Sequence, residues 1–222
     1  MYSYVEDKQF VSRMRNLCGR IMQECCHILK EEYDIGANFY LVGSGAKNLI
    51  MQNERNPIDL DYNLEVVRCE DFRDCRRIKE DVRKAFNSAL HEFGWRDCQD
   101  STSSLTTAKY HFTQGNQTEF SMDVCIVCRD VENKYYRLIH RKIGCIDFGD
   151  YYWNLAPESK QLKRKVDSIK RKGKWELVRI EYKKLKNKYL QCNDHNHPSF
   201  ICYVEVVNNI YNSCDKKKIR VV

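Results

Sequence analysis

The chain has 222 residues, of which 42% are hydrophobic and 31% charged, and this composition excludes a disordered or fibrous protein. Its 12 cysteines are scattered, and several stand in apolar runs, so we interpret them as buried side chains in a reducing compartment, not as a disulfide scaffold. The sequence lacks both an apolar run of about 18 residues and a basic-then-apolar leader, so we expect a cytoplasmic protein without a membrane span.

The net charge of +7 is unevenly distributed along the chain. Residues 1–133 carry 17 basic and 22 acidic side chains, whereas residues 134–191 carry 17 basic and 6 acidic ones. A basic region suits a polyanion, which can be a nucleoside triphosphate, RNA or DNA. A solvated, lysine-rich helical face explains the same charge equally well.

Apolar residues recur at three- and four-residue steps from Phe10 to Ile28, which predicts a helix over 6–33 that ends with Gly36 as its cap. A buried strand is predicted at 38–42, a turn at 43–45 and a short helix at 46–51. Residues 58–67 alternate apolar with acidic or polar side chains, which is typical of a strand with one buried face.

The later elements change in character along the chain. We expect a helix at 71–93, a hairpin from 105–112 and 118–128, a shorter hairpin within 135–150, and helices at 158–172, 175–192 and 199–213. The predicted fold class is α+β, a mixed sheet flanked by helices with a helical C-terminal region. We predict a first domain over 1–150 and a basic helical region over 151–222.

Two carboxylates, Asp59 and Asp61, stand two residues apart on the predicted strand 58–67 and therefore point to the same face. Like charges this close are costly unless something neutralises them, and a divalent cation with hard oxygen ligands does so. Taken alone, the pair is also explained as two solvent-facing acids on an amphipathic strand.

Three further features surround this pair in the sequence. Gly43 and Ser44 form a turn whose N–H groups and hydroxyl can hold phosphate oxygens, and Lys47 follows one turn later. Asp123 stands in an apolar strand, where a charge is costly unless it is paired or bound to a metal. A third carboxylate completes a site for two cations about 4 Å apart.

This order of motifs resembles the nucleotidyltransferase superfamily related to DNA polymerase beta. Leu41-Val-Gly-Ser44 and Ile58-Asp-Leu-Asp-Tyr62 correspond to its two motifs. The segment Gly43-Ser-Gly-Ala-Lys47 is most similar to the branch of archaeal CCA-adding enzymes, oligoadenylate synthases and bacterial cyclic-oligonucleotide synthases. The resemblance covers about 38–128. Asn48-Leu49 departs from the Gly-Thr of that branch.

The resemblance implies transfer of a nucleotidyl group from a nucleoside triphosphate, expected to be ATP, to an acceptor hydroxyl. It implies two Mg²⁺ or Mn²⁺ ions held by Asp59 and Asp61, with Asp123 at the ion that activates the acceptor. Gly43 and Ser44 would hold the terminal phosphates, with help from Lys47. The acceptor stays open: an RNA end, a nucleotide, a small molecule or a protein.

Other interpretations remain open at this point. The chain can be an inactive relative that binds nucleotide or a partner, or a basic RNA- or DNA-binding module built on 134–191. The aromatic residues Tyr151, Tyr152 and Trp153 can stack on a nucleobase or form a packed cluster. We interpret Cys125 and Cys128 as residues of a buried strand, not as zinc ligands, and the segment from Cys192 to His197 as a loop.

Overall fold

The structure is a computed structural model that describes residues 1–142, 149–157, 160–192 and 198–216. The described helices are α1 (Lys8–Tyr33), α2 (Gly43–Lys47), α3 (Cys75–Glu92), α4 (Lys160–Arg171), α5 (Trp175–Gln191) and α6 (Ser199–Lys216). The described strands are β1 (Tyr2–Tyr4), β2 (Gly36–Leu41), β3 (Met51–Asn53), β4 (Ile58–Arg68), β5 (Gln99–Asp100), β6 (Leu105–Thr106), β7 (Phe120–Arg129), β8 (Tyr135–Lys142) and β9 (Gly149–Leu155).

The predicted helix at 6–33 is confirmed as α1, and its ends have clear causes. Asp7 caps the N-terminus, because its carboxylate accepts a hydrogen bond from the Phe10 N–H at 2.9 Å. The predicted glycine cap is wrong. Asp34 is the C-cap, with a left-handed φ of 53°, and Gly36 already belongs to β2. An aspartate tolerates this conformation better than most residues, since its short polar side chain can bond locally.

A mixed sheet forms the centre of the larger unit. Its strands follow the order β2-β4-β7-β6-β5, with β8 paired to β7 and β9 to β8. The pair β4 and β7 is parallel, and the other pairs of this sheet are antiparallel. The predicted mixed sheet flanked by helices is therefore confirmed.

The core lies between one face of this sheet and the helices α1 and α3. The inward side of β4 supplies Ile58, Leu60, Tyr62 and Leu64, all 2% exposed or less. The alternation of β4 sends its acidic residues to the other face. Burial of the apolar face thus fixes the direction in which the carboxylates point.

Helix α3 begins later than the predicted residue 71. The Asp74 carboxylate accepts a hydrogen bond from the Arg77 N–H at 3.0 Å, which caps the helix and places its start at Cys75. The predicted hairpin at 105–128 is confirmed only at two places, because β6 is two residues long and Tyr110 forms an isolated bridge with Phe120. The second hairpin is confirmed as β8 and β9, which extends beyond residue 150 to Leu155.

The chain divides into two compact units. One comprises Val5–Ile50 and Arg55–Pro157, and the other comprises Met1–Tyr4, Met51–Glu54 and the described part of Glu158–Val222. The second unit contains the antiparallel pair of β1 and β3 together with α4, α5 and α6. Two short strands thus join the helices that the sequence predicted, whereas the domain division at residue 150 stays a prediction.

Within the described ranges, every helix is too short or too polar to cross a bilayer.

Candidate active site

The structure brings Asp61 and Asp123 side by side on the open face of the sheet. Strands β4 and β7 run parallel, and their register pairs Asp61 with Asp123 and Asp59 with Ser121. Neighbouring strands lie about 4.8 Å apart, so the two carboxylates of one register row are close neighbours. The pattern predicted the shared face of Asp59 and Asp61, and the parallel pairing adds Asp123 to it.

The two facing carboxylates are energetically unfavourable as a pair of charges. Burial raises the pKa of Asp61, and the neighbouring charges of Asp123 and Asp59 raise it further, against the opposing effect of Lys47 and Arg137. Burial likewise raises the pKa of Asp123, opposed by a hydrogen bond from Thr106. A positive charge placed between the two carboxylates would therefore stabilise both.

Two hydroxyl groups hold the acids in place. Ser121 Oγ donates a hydrogen bond to Asp59 Oδ1 at 2.5 Å, and Thr106 Oγ1 donates to Asp123 Oδ1 at 2.5 Å. Thr106 stands opposite Asp123 in the antiparallel pair of β6 and β7. The predicted hairpin of 105–112 and 118–128 placed Thr106 on a strand beside β7, but sequence reasoning did not predict the register that sets it opposite Asp123.

A tight turn leads from β2 toward the acids. The Val42 N–H donates to the Asp61 backbone carbonyl at 2.8 Å, which fixes the start of the turn against β4. Gly43 then adopts a left-handed φ of 59°. A Cβ at Gly43 would lie 2.0 Å from Asp61 Oδ2, so only glycine allows the carboxylate and the backbone to come this close.

The short helix after this turn differs from the prediction. It starts at Gly43 instead of Ala46 and ends at Lys47, and Met51 belongs to strand β3. The helix is half-buried and carries Ser44 and Lys47 after Gly43, the residue that approaches Asp61. The Lys47 ammonium donates to the Gly43 carbonyl at 2.9 Å. Burial lowers the pKa of Lys47, and the charge of Asp61 opposes this shift only in part. Lys47 therefore contributes its charge from within the turn.

The donor chemistry of the site suits a hard divalent cation. Asp59, Asp61 and Asp123 offer only carboxylate oxygens, and the repulsion that raises the pKa of Asp61 is relieved by such an ion. Among the described residues, no group of three Asp, Glu, His or Cys side chains is spaced to ligate one metal ion.

Comparison with known proteins gives a fold assignment. No family model and no curated protein sequence matches the chain. Among solved structures it is similar to the cyclic dinucleotide synthase CdnE of Elizabethkingia meningoseptica in complex with GTP and Apcpp. That match has a TM-score of 0.53 and 13% identity, and it covers 89% of this chain and 69% of that one.

Two further matches have the same architecture. The Escherichia coli CdnC, solved in a complex with HORMA-deltaN, matches with a TM-score of 0.53 and 16% identity over 91% of this chain and 60% of that one. The Escherichia coli DncV, solved with 3'-deoxy GTP, matches with a TM-score of 0.53 and 12% identity over 90% and 64%. The chain has the nucleotidyltransferase fold. It spans about two thirds of the length of these three proteins.

The presence of Asn48 in place of the glycine expected from the motif has a conformational explanation. Asn48 stands where the branch usually has glycine, and it adopts a left-handed φ of 56° at the end of α2. Asparagine is the residue that most readily replaces glycine in this conformation. Asparagine at position 48 therefore suits the left-handed backbone that the structure has there.

The three aromatic residues of β9 do not act as one set. Tyr151 stacks on His140 with ring centroids 4.1 Å apart, and the indole N–H of Trp153 donates to the Phe72 carbonyl at 2.6 Å. These two rings pack against the core, as the packed-cluster interpretation expects. Tyr152 points to the opposite face and is 43% exposed. It is the most exposed of the three rings.

Of the two segments predicted around cysteines, the structure describes one fully. Cys125 and Cys128 both lie on β7 with free thiols, which confirms two residues of a strand. The loop predicted from Cys192 to His197 lies mostly outside the described residues.

Proposed function

We propose that the chain is a metal-dependent nucleotidyltransferase that transfers a nucleotidyl group from a nucleoside triphosphate, with ATP as the expected substrate, to an acceptor hydroxyl. The observation that carries the proposal is the register row of Asp61 and Asp123 directly against the Gly43 turn. The fold shared with nucleotide-bound cyclic dinucleotide synthases supports the same chemistry.

Each residue has a role that follows from its place. Asp59 and Asp61 would hold both cations, and Asp123 would share the ion nearest the acceptor. Mg²⁺ or Mn²⁺, when bound, neutralises phosphate charge and lowers the pKa of a coordinated hydroxyl. The N–H groups of the Gly43–Ser44 turn and the Ser44 hydroxyl receive the terminal phosphates, and Lys47 adds positive charge to that turn.

The protein's contribution to the reaction is then mainly positioning. Ser121 and Thr106 fix one oxygen each of Asp59 and Asp123, which leaves the second oxygen of each carboxylate for the metal or the acceptor proton. Asp123 accepts the proton of the attacking hydroxyl, and pyrophosphate leaves toward the Gly43–Ser44 turn. Prearranged groups of this kind supply most of the rate enhancement in an in-line displacement.

The two alternatives explain less of the structure. An inactive relative has no use for three carboxylates on one face of the sheet, two of them held by hydroxyl groups. A basic nucleic-acid-binding module built on 134–191 leaves the carboxylates of β4 and β7 and the close approach of Gly43 to Asp61 unexplained.

The test is incubation of the protein with each of the four ribonucleoside triphosphates and Mg²⁺ or Mn²⁺. Pyrophosphate release is measured, and the products are identified by mass spectrometry. The proposal expects release that requires a divalent cation and a product one nucleotidyl group heavier than its acceptor. The exposed Glu119, just before β7, offers a matched control, since Glu119→Gln removes a carboxylate outside the row. Equal loss in Glu119→Gln and Asp123→Asn would argue against the assigned roles.

A further inference from the structure

Arg15 of α1 reaches across to the end of α2 and binds it at two points. Its Nη2 donates to the Gly45 carbonyl in a short hydrogen bond and to Asn48 Oδ1 at 3.0 Å. Both acceptors belong to the six-residue segment 43–48, which also contains Gly43 and Ser44. A cation of the long first helix is thus bonded directly to the turn of the candidate active site.

The position of this arginine is costly, which indicates that its contacts matter. Arg15 Nε is buried and has no hydrogen-bond partner among the described residues. An unsatisfied buried donor is unfavourable, so the contacts made by Nη2 have to offset that cost. The two acceptors lie on the last turn of a segment whose ends both have a left-handed φ, 59° at Gly43 and 56° at Asn48. Of these two, the left-handed φ of Asn48 is the unfavourable one, and outside contacts help to keep it.

We infer that Arg15 is a positioning residue that holds the Gly43–Ser44 turn in the conformation that receives the terminal phosphates of the triphosphate. The inference rests on the proposed function. Arg15 acts through Gly45 and Asn48 and does not itself touch the nucleotide. Asn48 thereby has a second role beside its backbone conformation, because its side-chain oxygen gives Arg15 an acceptor that a glycine at this position would lack.

The readout that separates positioning from general stability is the dependence of affinity on phosphate number. Only the terminal phosphates meet the Gly43–Ser44 turn, so loss of Arg15 should weaken a triphosphate and leave a monophosphate unchanged. Titration calorimetry with Mg²⁺ would compare the affinity for α,β-methylene-ATP with that for AMP. The same comparison would be made with α,β-methylene-GTP and GMP. In these analogues a methylene group replaces the oxygen between the α and β phosphorus atoms. The bond that the reaction would break is therefore absent, and no turnover occurs during the titration.

Arg15→Met should lower the ratio of triphosphate to monophosphate affinity by roughly 10- to 100-fold, because a displaced binding group costs this much. Arg15→Lys should restore it only in part, since an ammonium lacks the planar fork of the guanidinium. Arg13→Met is the matched control. Arg13 is on the same helix but donates to the Gln114 carbonyl and lies over Phe112, away from α2, so the ratio should not change.

A second variant keeps the inference testable if Arg15→Met folds poorly. Asn48→Gly preserves the left-handed conformation and removes the side-chain acceptor, and it should lower the same ratio by a smaller factor. An unchanged ratio in both Arg15→Met and Asn48→Gly, with wild type preferring the triphosphate, would overturn the inference alone. A wild-type protein without any preference for the triphosphate would overturn the inference together with the proposed function.

Discussion

Gly43 and Asp61 approach so closely that no methyl group fits between them. A Cβ built at Gly43 would lie 2.0 Å from Asp61 Oδ2 and 2.8 Å from Asp61 Cγ. The turn expected to hold phosphates is therefore in van der Waals contact with the carboxylate expected to hold cations. Any side chain at position 43 has to displace one of the two.

The first prediction follows from this contact. Gly43→Ala should lower turnover by at least about 100-fold, because a displacement of about 1 Å at reacting groups has this effect. The left-handed φ at position 43, which alanine adopts less readily than glycine, should also lower the free energy of unfolding by about 1 kcal/mol. Steady-state kinetics and urea unfolding would measure both.

Gly19 provides the control for that substitution. It lies within α1, and a Cβ there meets nothing within 4 Å. Gly19→Ala should leave turnover unchanged and raise the free energy of unfolding by roughly 0.5–1 kcal/mol, as alanine is the better helix former. Equal turnover in the two alanine variants would contradict the role of Gly43.

The second prediction is that Asp61→Asn raises stability while it removes activity. Burial and the charges of Asp123 and Asp59 raise the pKa of Asp61, so its ionised form destabilises the folded protein. Without divalent cations, Asp61→Asn should raise the melting temperature at pH 7, whereas turnover with cations should be lost. A lower melting temperature would show that Asp61 has a stabilising partner.

The same shift predicts a pH dependence with a definite sign. A carboxyl group whose folded pKa is raised contributes stability that is present below its unfolded pKa, about 3.9, and is lost as the pH rises through the folded value. Wild type should therefore lose stability relative to Asp61→Asn as the pH increases from about 4. Asp7 and Asp130 have lowered pKa values from backbone hydrogen bonds and act in the opposite direction, but equally in both proteins. A difference independent of pH would contradict this account.

The third prediction concerns the hydroxyl that holds Asp123. Thr106→Val keeps the shape of the side chain and removes the donor to Asp123 Oδ1. Turnover should fall roughly 10-fold or more, since partners that orient ligands have effects of this size. Thr113→Val, at an exposed position, is the matched control. Kinetics that do not distinguish the two valine variants would remove Thr106 from the site.

The fourth prediction concerns a buried ion pair on the core side of the sheet. Lys79 is 1% exposed, and its ammonium lies 2.6 Å from Asp100 Oδ1 and donates to the Ser101 carbonyl at 2.9 Å. Lys79→Met removes this cation and leaves His140, whose Nδ1 lies 2.6 Å from Asp100 Oδ2, as a remaining partner. The loss should cost about 3 kcal/mol in urea unfolding. The exposed pair of Lys184 and Glu181 is the comparison, where Lys184→Met should hardly move the midpoint. Equal midpoints for the two variants would contradict the prediction.

The sequence predicted the elements whose pattern is long and local. Helix α1 has one apolar face over 26 residues, and β4 alternates over 11, so their types and buried faces follow from periodicity. The face shared by Asp59 and Asp61 was predictable for the same reason. The C-cap at Asp34 and the start of α2 at Gly43 were not, because each depends on a left-handed residue or a contact with another strand.

What the sequence could not give is pairing between distant elements. The three-residue strand β1 was not predicted, because it is defined by its pairing with β3. A hairpin of 105–112 with 118–128 was predicted, but not the register that sets Thr106 opposite Asp123. The parallel register that sets Asp61 beside Asp123 also lies outside local pattern. The contact of Arg15 with α2 joins residues 30 positions apart and leaves no local signal.

The central claim is that the row of Asp61 and Asp123 supports metal-dependent nucleotidyl transfer. The most direct measurement is pyrophosphate release from the preferred triphosphate by wild type, Asp61→Asn and Asp123→Asn, each with Mg²⁺ and with a chelator. The account predicts release by wild type only with Mg²⁺, and a loss of at least about 100-fold in both folded variants. Undiminished release by either folded variant, or by wild type in the chelator, would contradict it.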